Sequence, residues 1–594
     1  MPAFEKGTGV VDGASNGSAP SPPRSSYPTT HFQLEDHPVD ERRRLRVGVI
    51  GAGIAGITAG ILLPAKVPEI DLTIYEQKKD VGGVWYDNIY PGVRCDVPAH
   101  VYQSSIEPNS QWSEVYAQGA EILAYWQDVA RKRDVYKYCK FETEVFEARW
   151  SDDDAVWRVK VRHAATGERT DEFDVLLTAH GRFTAWRLPD YPGLDTFRGF
   201  VRHTSNWDPS FDFKGKRVAV IGNGVSGLQV VPNLQPHVAR LDHYARNKTW
   251  IAGAYTGDNE RKLEAQPIPS DLRESFKDDT DRYLAYRKGE EDQYWRRFDA
   301  LFRNSDTNSK AKQQYLEVMR KRVAKKPELL DSLIPDFAPH CRRLTPAPGY
   351  LEALCEENVD FIQTPIKRFT ETGIETVDGK QRDVDAIFCA TGANVESATP
   401  FSVIARGVDL REAWKPDGLF GWPYSYMGVG TPGFPNLFFI FGPHSAGVSG
   451  TVPSTAENYV TYIAKVLRKI SSQGIRTITP SRQAADDFVE YSDAFFPKTY
   501  LTDHCSAWHN SGRPGSRIHA HWPGSASHER YVRFDPRWED FEYTYLSRSG
   551  NRFAWLGNGW SKKEKNKDED LTWYLRKPEE VNLKSWYENW YEVW

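Results

Sequence analysis

Two glycine clusters carry the spacing that a nucleotide pyrophosphate requires: Gly51, Gly53 and Gly56 in GAGIAG, and Gly222, Gly224 and Gly227 in GNGVSG. The glycines permit a tight turn, close approach of the backbone to phosphate, and close packing of helix on strand, while the helix N-terminus faces the anion. The residue ending the next strand then reads the ribose. After the first cluster it is Glu76, at the end of DLTIYEQ, whose carboxylate accepts from ribose hydroxyls. After the second it is Arg246, in LDHYARNKTW. A guanidinium there holds a 2′-phosphate that an acid would repel, so the second site is expected to prefer NADPH. A plain surface charge after a strand is the competing reading of Arg246.

The elements that must position these residues are legible around them. RVGVIGAGIAGITAGILL, from Arg46, reads as apolar strand, glycine turn and apolar helix, and KRVAVIGNGVSGLQVV repeats the arrangement. TEVFEARW, VWRVKVRH and FDVLLTAHG read as strands before the second cluster, and DAIFCATGA as one after it; the last two are predicted to be crossings between domains. The charged stretch SDLRESFKDDTDRYLAYRKGEEDQYWRRF has helical spacing and predicts a helical insertion. FGPHSAGVSG leads into the helical segment STAENYVTYIAKVL. The fold class is therefore α/β, with two Rossmann-type dinucleotide-binding domains. The expected order is a disordered tail over 1–40, the first domain over 41–185, the second over 186–382 with its insertion at about 257–343, a return to the first over 383–535, and a Trp-rich extension over 536–594 that matches no fold signal.

Composition narrows the function classes. A chain of 594 residues is too long for one ordinary core. A net charge of -5 without a basic patch argues against nucleic acid or an anionic membrane as partner, and ERRRLR at Glu41 to Arg46 reads as a solvated lead into the first strand. The longest apolar run, Val47 to Leu63, is interrupted by five glycines and does not read as a membrane span. The Ser-, Pro- and Gly-rich start lacks the apolar core of a signal peptide. Six cysteines, Cys95, Cys139, Cys341, Cys355, Cys389 and Cys505, show no CxxC pair or metal-ligand spacing and are expected to be reduced thiols in a soluble cytoplasmic enzyme without metal.

Two longer motifs add chemistry. GGVWYDNIYPGVRCD, Gly82 to Asp96, fits [A/G]GxWxxxxYPGxxxD; its Trp85 and Tyr90 offer flat walls that exclude water. FRGFVRHTSNWD fits FxGxxxHxxxW[P/D] through Phe197, Gly199, His203, Trp207 and Asp208. On residue type alone Asp96 reads as a satisfied turn residue, and His203 as general acid, metal ligand or latch.

With both motifs the chain resembles the Baeyer-Villiger monooxygenases, from about Arg46 to His528. Trp207 and Asp208 stand where N- and S-oxygenating relatives carry Tyr followed by Lys or Arg. The resemblance implies FAD in the first domain, NADPH in the second, and dioxygen and a ketone as substrates, with an ester or lactone as product. It implies that Asp96 pairs with an arginine reaching over the flavin from CRRLTPAPGY; Arg343 maps to that active arginine and Arg342 to the NADP phosphate side. A permanently charged guanidinium stabilises both the attacking oxygen anion and the charge developing on the carbonyl oxygen. By resemblance FAD meets Gly51, Gly53, Gly56, Glu76, Gly83, Val84, Trp85, Tyr86, Asp87, Asp96, Val97, Tyr102 and Val145. NADP meets Arg94, Cys95, Asp96, Gly222, Asn223, Gly224, Val225, Ser226, Gly227, Ala245, Arg246, Arg342 and Trp508, the last on a mobile loop unless it is simply core. His203 becomes a latch between the domains, and Ala446 to Thr451 line the substrate pocket. RRLTPAPGYLEAL and NRFAWLGNGW resemble the fungal branch acting on polyketide and terpenoid intermediates of secondary metabolism. The rival readings are an N-, S- or carbon-oxygenating flavin monooxygenase, a disulfide reductase without its CxxC, and a flavin-binding scaffold without turnover.

Overall fold

The computed structural model describes residues 30–183, 185–252, 266–393, 399–572 and 574–581. Residues 1–29 of the expected tail, 257–265 of the expected insertion and 582–594 of the extension lie outside the described residues. Leu45–Ile50 buries Val47, Val49 and Ile50, side chains from both faces, as a central parallel strand must. Ile70–Tyr75 and Val175–Thr178 flank it, with Cys139–Lys140 and Leu437–Phe439 outside them, all parallel. The chain reaches Leu437 only after building a second sheet, so the first domain is discontinuous. Ile54–Lys66 packs against the long helix Val452–Ser472, which buries Ala456, Val460 and Ile463. An antiparallel layer of Thr143–Ser151, Val156–His163 and Gly167–Phe173 packs on the first sheet, Phe173 meeting Tyr75 edge-on at 6.0 Å.

The second sheet is also parallel: Val359–Ile362, Arg240–Tyr244, Arg217–Ile221, Ala386–Cys389 and Phe200–His203. The expected boundary at 382/383 therefore moves. Ala386–Cys389 is buried and pairs with both Arg217–Ile221 and Phe200–His203, so the chain leaves this domain only after Cys389. Its all-apolar AIFC is what a strand covered on both faces needs.

The insertion is helical where it is described. Thr280–Trp295 begins at Asp279, which accepts from the Arg282 N–H, and Asp306–Arg322 begins at Ser305, which accepts from the Asn308 N–H. Tyr294 joins the core of the first domain while Met319 and Val323 join that of the second. The two ends of the chain also meet: Phe541–Tyr545 pairs antiparallel with Ile475–Pro480, Val39 donates to the Trp560 carbonyl (2.8 Å), and His37 accepts from Asn558 (2.9 Å). Residues 37–40, placed in the tail by composition, are thus tied to the extension. Among the described residues no helix is long and apolar enough to cross a membrane.

Candidate active site

A cavity of about 1270 Å³ lies where the C-terminal ends of the two parallel sheets face each other, the usual ligand position in such folds. Both glycine clusters open onto it and share one geometry. Gly51 and Gly222 turn at φ +107° and +105°, and a Cβ on Gly56 or Gly227 would sit 2.0 Å from the carbonyl oxygen of Gly51 or Gly222. The helices that follow start at Gly53 and Gly224 without side-chain caps, leaving their first N–H groups for a ligand. Gly53 and Gly83 approach so closely that a Cβ on Gly83 would lie 3.0 Å from the Gly53 Cα. Glu76 is buried, its carboxylate accepting from the N–H groups of Ala52 (2.8 Å) and Lys78 (2.9 Å), and burial raises its pKa. Arg246 is exposed on the opposite wall.

Asp96 and Arg343 meet across the domains. Nε and Nη2 of Arg343 donate to Oδ2 (2.5 Å) and Oδ1 (2.7 Å) of Asp96, the bidentate geometry that fixes a guanidinium plane. Thr345–Pro346 pairs with Ile251–Ala252 just beyond the arginine, and Cys341 just before it is joined to Cys505 by a disulfide, Cα to Cα 6.3 Å. This corrects the expectation of six reduced thiols: two loops that the sequence separates by 164 residues converge here, and only Cys95, Cys139, Cys355 and Cys389 are free. Arg342 is largely buried, donates to the Lys248 carbonyl (3.3 Å), and has its pKa lowered by that burial.

The remaining expected residues divide. Of those mapped to FAD, Gly56, Tyr86 and Val97 do not line the cavity, and of those mapped to NADP, Gly227 and Ala245 do not; the others do. Gly56 and Gly227 act behind the surface, where helix meets strand. Trp85 donates to the Tyr102 hydroxyl (3.3 Å), the rings edge-to-face. Tyr90 is less a wall than a dock: its ring joins the second domain's core and its hydroxyl donates to Gln229 (2.9 Å), which donates to the Arg94 carbonyl (3.0 Å). Of the fixed positions of the FxGxxxHxxxW motif only His203 reaches the cavity, with Ser205 beside it. Phe197 is core, a Cβ on Gly199 would lie 2.7 Å from the Asp385 carbonyl oxygen, Trp207 stacks on Phe388, and Asp208 accepts from Ser210. His203 Nδ1 accepts from the Ser205 N–H (3.1 Å), its ring stacks on Trp186 at 5.3 Å beside the crossing, and burial lowers its pKa. Among the described residues no cluster of His, Cys, Asp or Glu could hold a metal.

Trp508 is half-buried, with Phe183 edge-on at 5.6 Å and the Arg182 guanidinium 5.4 Å over its ring. Sequence reasoning passed over Arg182. It donates to the carbonyls of Gly442 (2.8 Å) and Ala520 (3.2 Å) and to Ser445 (3.0 Å), and burial lowers its pKa to about 10. Its signal was its place in HGRF, just past the end of a central parallel strand. The arrangement presents two uncapped helix N-termini, each suited to a pyrophosphate, to one cavity that Arg182 and Arg343 also line.

Residues 44–259 match the family model for flavin-binding monooxygenase-like proteins. The chain is 35% identical to the FAD-binding monooxygenase tazF of Aspergillus terreus, over 90% of this chain and 95% of that one. It is 30% identical to a Baeyer-Villiger monooxygenase of Streptomyces coelicolor, over 84% and 91%. Among solved structures, OTEMO in complex with FAD and NADP superposes with a TM-score of 0.73 at 26% identity, over 84% of this chain and 99% of that one. Oxidized steroid monooxygenase bound to NADP superposes at 0.71 with 27% identity and the same coverage.

Proposed function

This chain belongs to the FAD-binding monooxygenases of the Baeyer-Villiger type, and on that footing we propose that it converts a bulky ketone of secondary metabolism to an ester or lactone. The observation that carries the reading is the bidentate Asp96–Arg343 pair spanning two dinucleotide cradles. Gly51, Gly53, Glu76 and Gly83 of the first cradle would hold FAD, and Gly222, Gly224 and Arg246 of the second would hold NADPH, with Arg246 for the 2′-phosphate. FAD held there would use two electrons from NADPH to activate dioxygen, one atom of which would enter the ketone while the other leaves as water.

The chain's own residues do the rest. The Arg343 guanidinium stabilises negative charge on the carbonyl oxygen as it is attacked. Asp96 aims the guanidinium, so no reorientation is needed when that charge develops. Trp85 and Tyr102 present apolar ring surface that excludes water from the site. Ala446, Gly447 and Gly450 line the cavity, the two glycines allowing that wall to pack closely on Ala526 behind it.

Arg343→Ala is expected to keep NADPH-driven flavin bleaching while losing ester formation by roughly two to three powers of ten. The assay offers a cyclic ketone beside a thioether. Ester formation at the full rate by the variant, or oxygenation of the thioether alone by the parent protein, would overturn the proposal.

A further inference from the structure

One wall of the cavity carries a histidine that the ketone chemistry leaves unused. His521 follows a segment stitched to the loop at Ala446: the Ala446 N–H donates to Ala520 (3.1 Å), and the Trp522 N–H donates to the Ala446 carbonyl (3.0 Å). The His521 Nδ1 lies 3.0 Å from that same carbonyl. A carbonyl only accepts, so Nδ1 carries the hydrogen, and the neutral ring presents Nε2 as a lone pair. The residue is partly buried and lines the cavity, with Trp508 at 4.8 Å and His509 at 5.1 Å between ring centres. Among the described residues no hydrogen bond reaches Nε2, and unlike Nε2 of His509 it is not sealed from the cavity. Burial keeps the ring's pKa well below its ordinary value, and the charges of Arg182 and Arg343 act in the same direction. His521 is thus a fixed acceptor facing the cavity, which a donor on a ligand can meet by taking the place of water.

We propose that His521 determines specificity by accepting, at Nε2, a hydrogen bond from a hydroxyl group of the ketone substrate, so that the site selects hydroxylated polycyclic ketones over their deoxy or O-alkylated counterparts. This rests on the ketone-oxygenation reading above and deepens it. A cavity built to meet a hydroxyl rejects the analogue lacking it more strongly than an apolar pocket rejects a small change of bulk.

The test titrates the full-length FAD-loaded protein with 5-, 6- and 7-hydroxy-1-tetralone, their methyl ethers and 1-tetralone. The flavin spectrum reports Kd, and product analysis follows separately. At least one hydroxytetralone is expected to bind about tenfold or more tightly than both its methyl ether and 1-tetralone. His521→Phe, which keeps a flat ring without an acceptor, is expected to bring that ratio to within about twofold, and His521→Gln to restore part of it. Equal affinities across the series in the parent protein, or an undiminished preference in His521→Phe, would overturn the proposal. Should His521→Phe lose its flavin, the comparison of hydroxyl with methyl ether in the parent protein decides alone. Because Kd is read without turnover, a protein that discriminates but yields no lactone sinks the ketone reading and leaves the role of His521 standing.

Discussion

The two glycine fingerprints share a backbone and differ at the exit. In each the first glycine turns at positive φ, the third lets helix and strand close together, and the helix begins uncapped. The next strand then ends on Glu76, buried with both oxygens already held by N–H groups, or on Arg246, exposed on the cavity wall. A pre-bonded, enclosed carboxylate suits a dinucleotide that stays, because the side chain is ordered before the ligand arrives. An exposed guanidinium on a flexible stem suits one that enters charged and leaves. On the proposed reading, the cradle supplies affinity for pyrophosphate at both sites, and the strand end sets which dinucleotide is held.

Filling the third glycine in each fingerprint gives the largest expected effect. Gly56→Ala should yield protein without bound flavin. Gly227→Ala should keep its flavin spectrum yet lose reduction by NADPH, since each methyl group meets a backbone oxygen that cannot move aside. Loss of flavin from both variants alike would contradict the division of labour. Arg246→Ala comes next: removing charge-assisted hydrogen bonds of about 1.5–3 kcal/mol should raise the NADPH Michaelis constant roughly ten- to a hundredfold. The NADH constant should stay within about twofold, and equal changes in steady-state assays would dismiss Arg246 as the phosphate reader.

What could be read in advance follows physical locality. Strand, turn and helix around Gly51 and Gly222 are written within about thirty residues each, in periodicities that a single sequence displays. Asp96 and Arg343 were found because each closes or opens a motif, although nothing local says they touch. The boundary near Ala386 was misplaced because an apolar strand before a turn looks the same whether it ends one domain or begins another. Arg182 showed only its place after a strand, and His521 and the Cys341–Cys505 bond showed nothing, for a shared reason: each is defined by partners far away in sequence, which composition and spacing do not encode. The pairing of Phe541–Tyr545 with Ile475–Pro480 is of the same kind.

That disulfide bears on the exchangeable side of the comparison, because it ties the segment before Arg343 to the loop carrying Trp508. Cys505→Ser should raise the NADPH Michaelis constant a fewfold and increase hydrogen peroxide released per NADPH consumed, both readable in an oxygen-electrode assay. Unchanged values would mean that the neighbouring contacts of Trp508 hold the loop by themselves.

The smallest effect is expected from Glu76→Gln, and its sign is fixed by linkage. Burial raises the carboxyl's pKa above its unfolded value, so the native state binds the proton more tightly than the unfolded chain. The stability from that proton is fully present below the ordinary carboxylate range and is lost as pH rises through the raised value. Glutamine has no proton to lose. The difference in Tm between Glu76→Gln and the parent protein should therefore shift in favour of the variant as pH climbs from about 4 toward neutrality. A difference that stays flat across that window would mean that the N–H groups of Ala52 and Lys78 fully offset the desolvation of the Glu76 carboxylate.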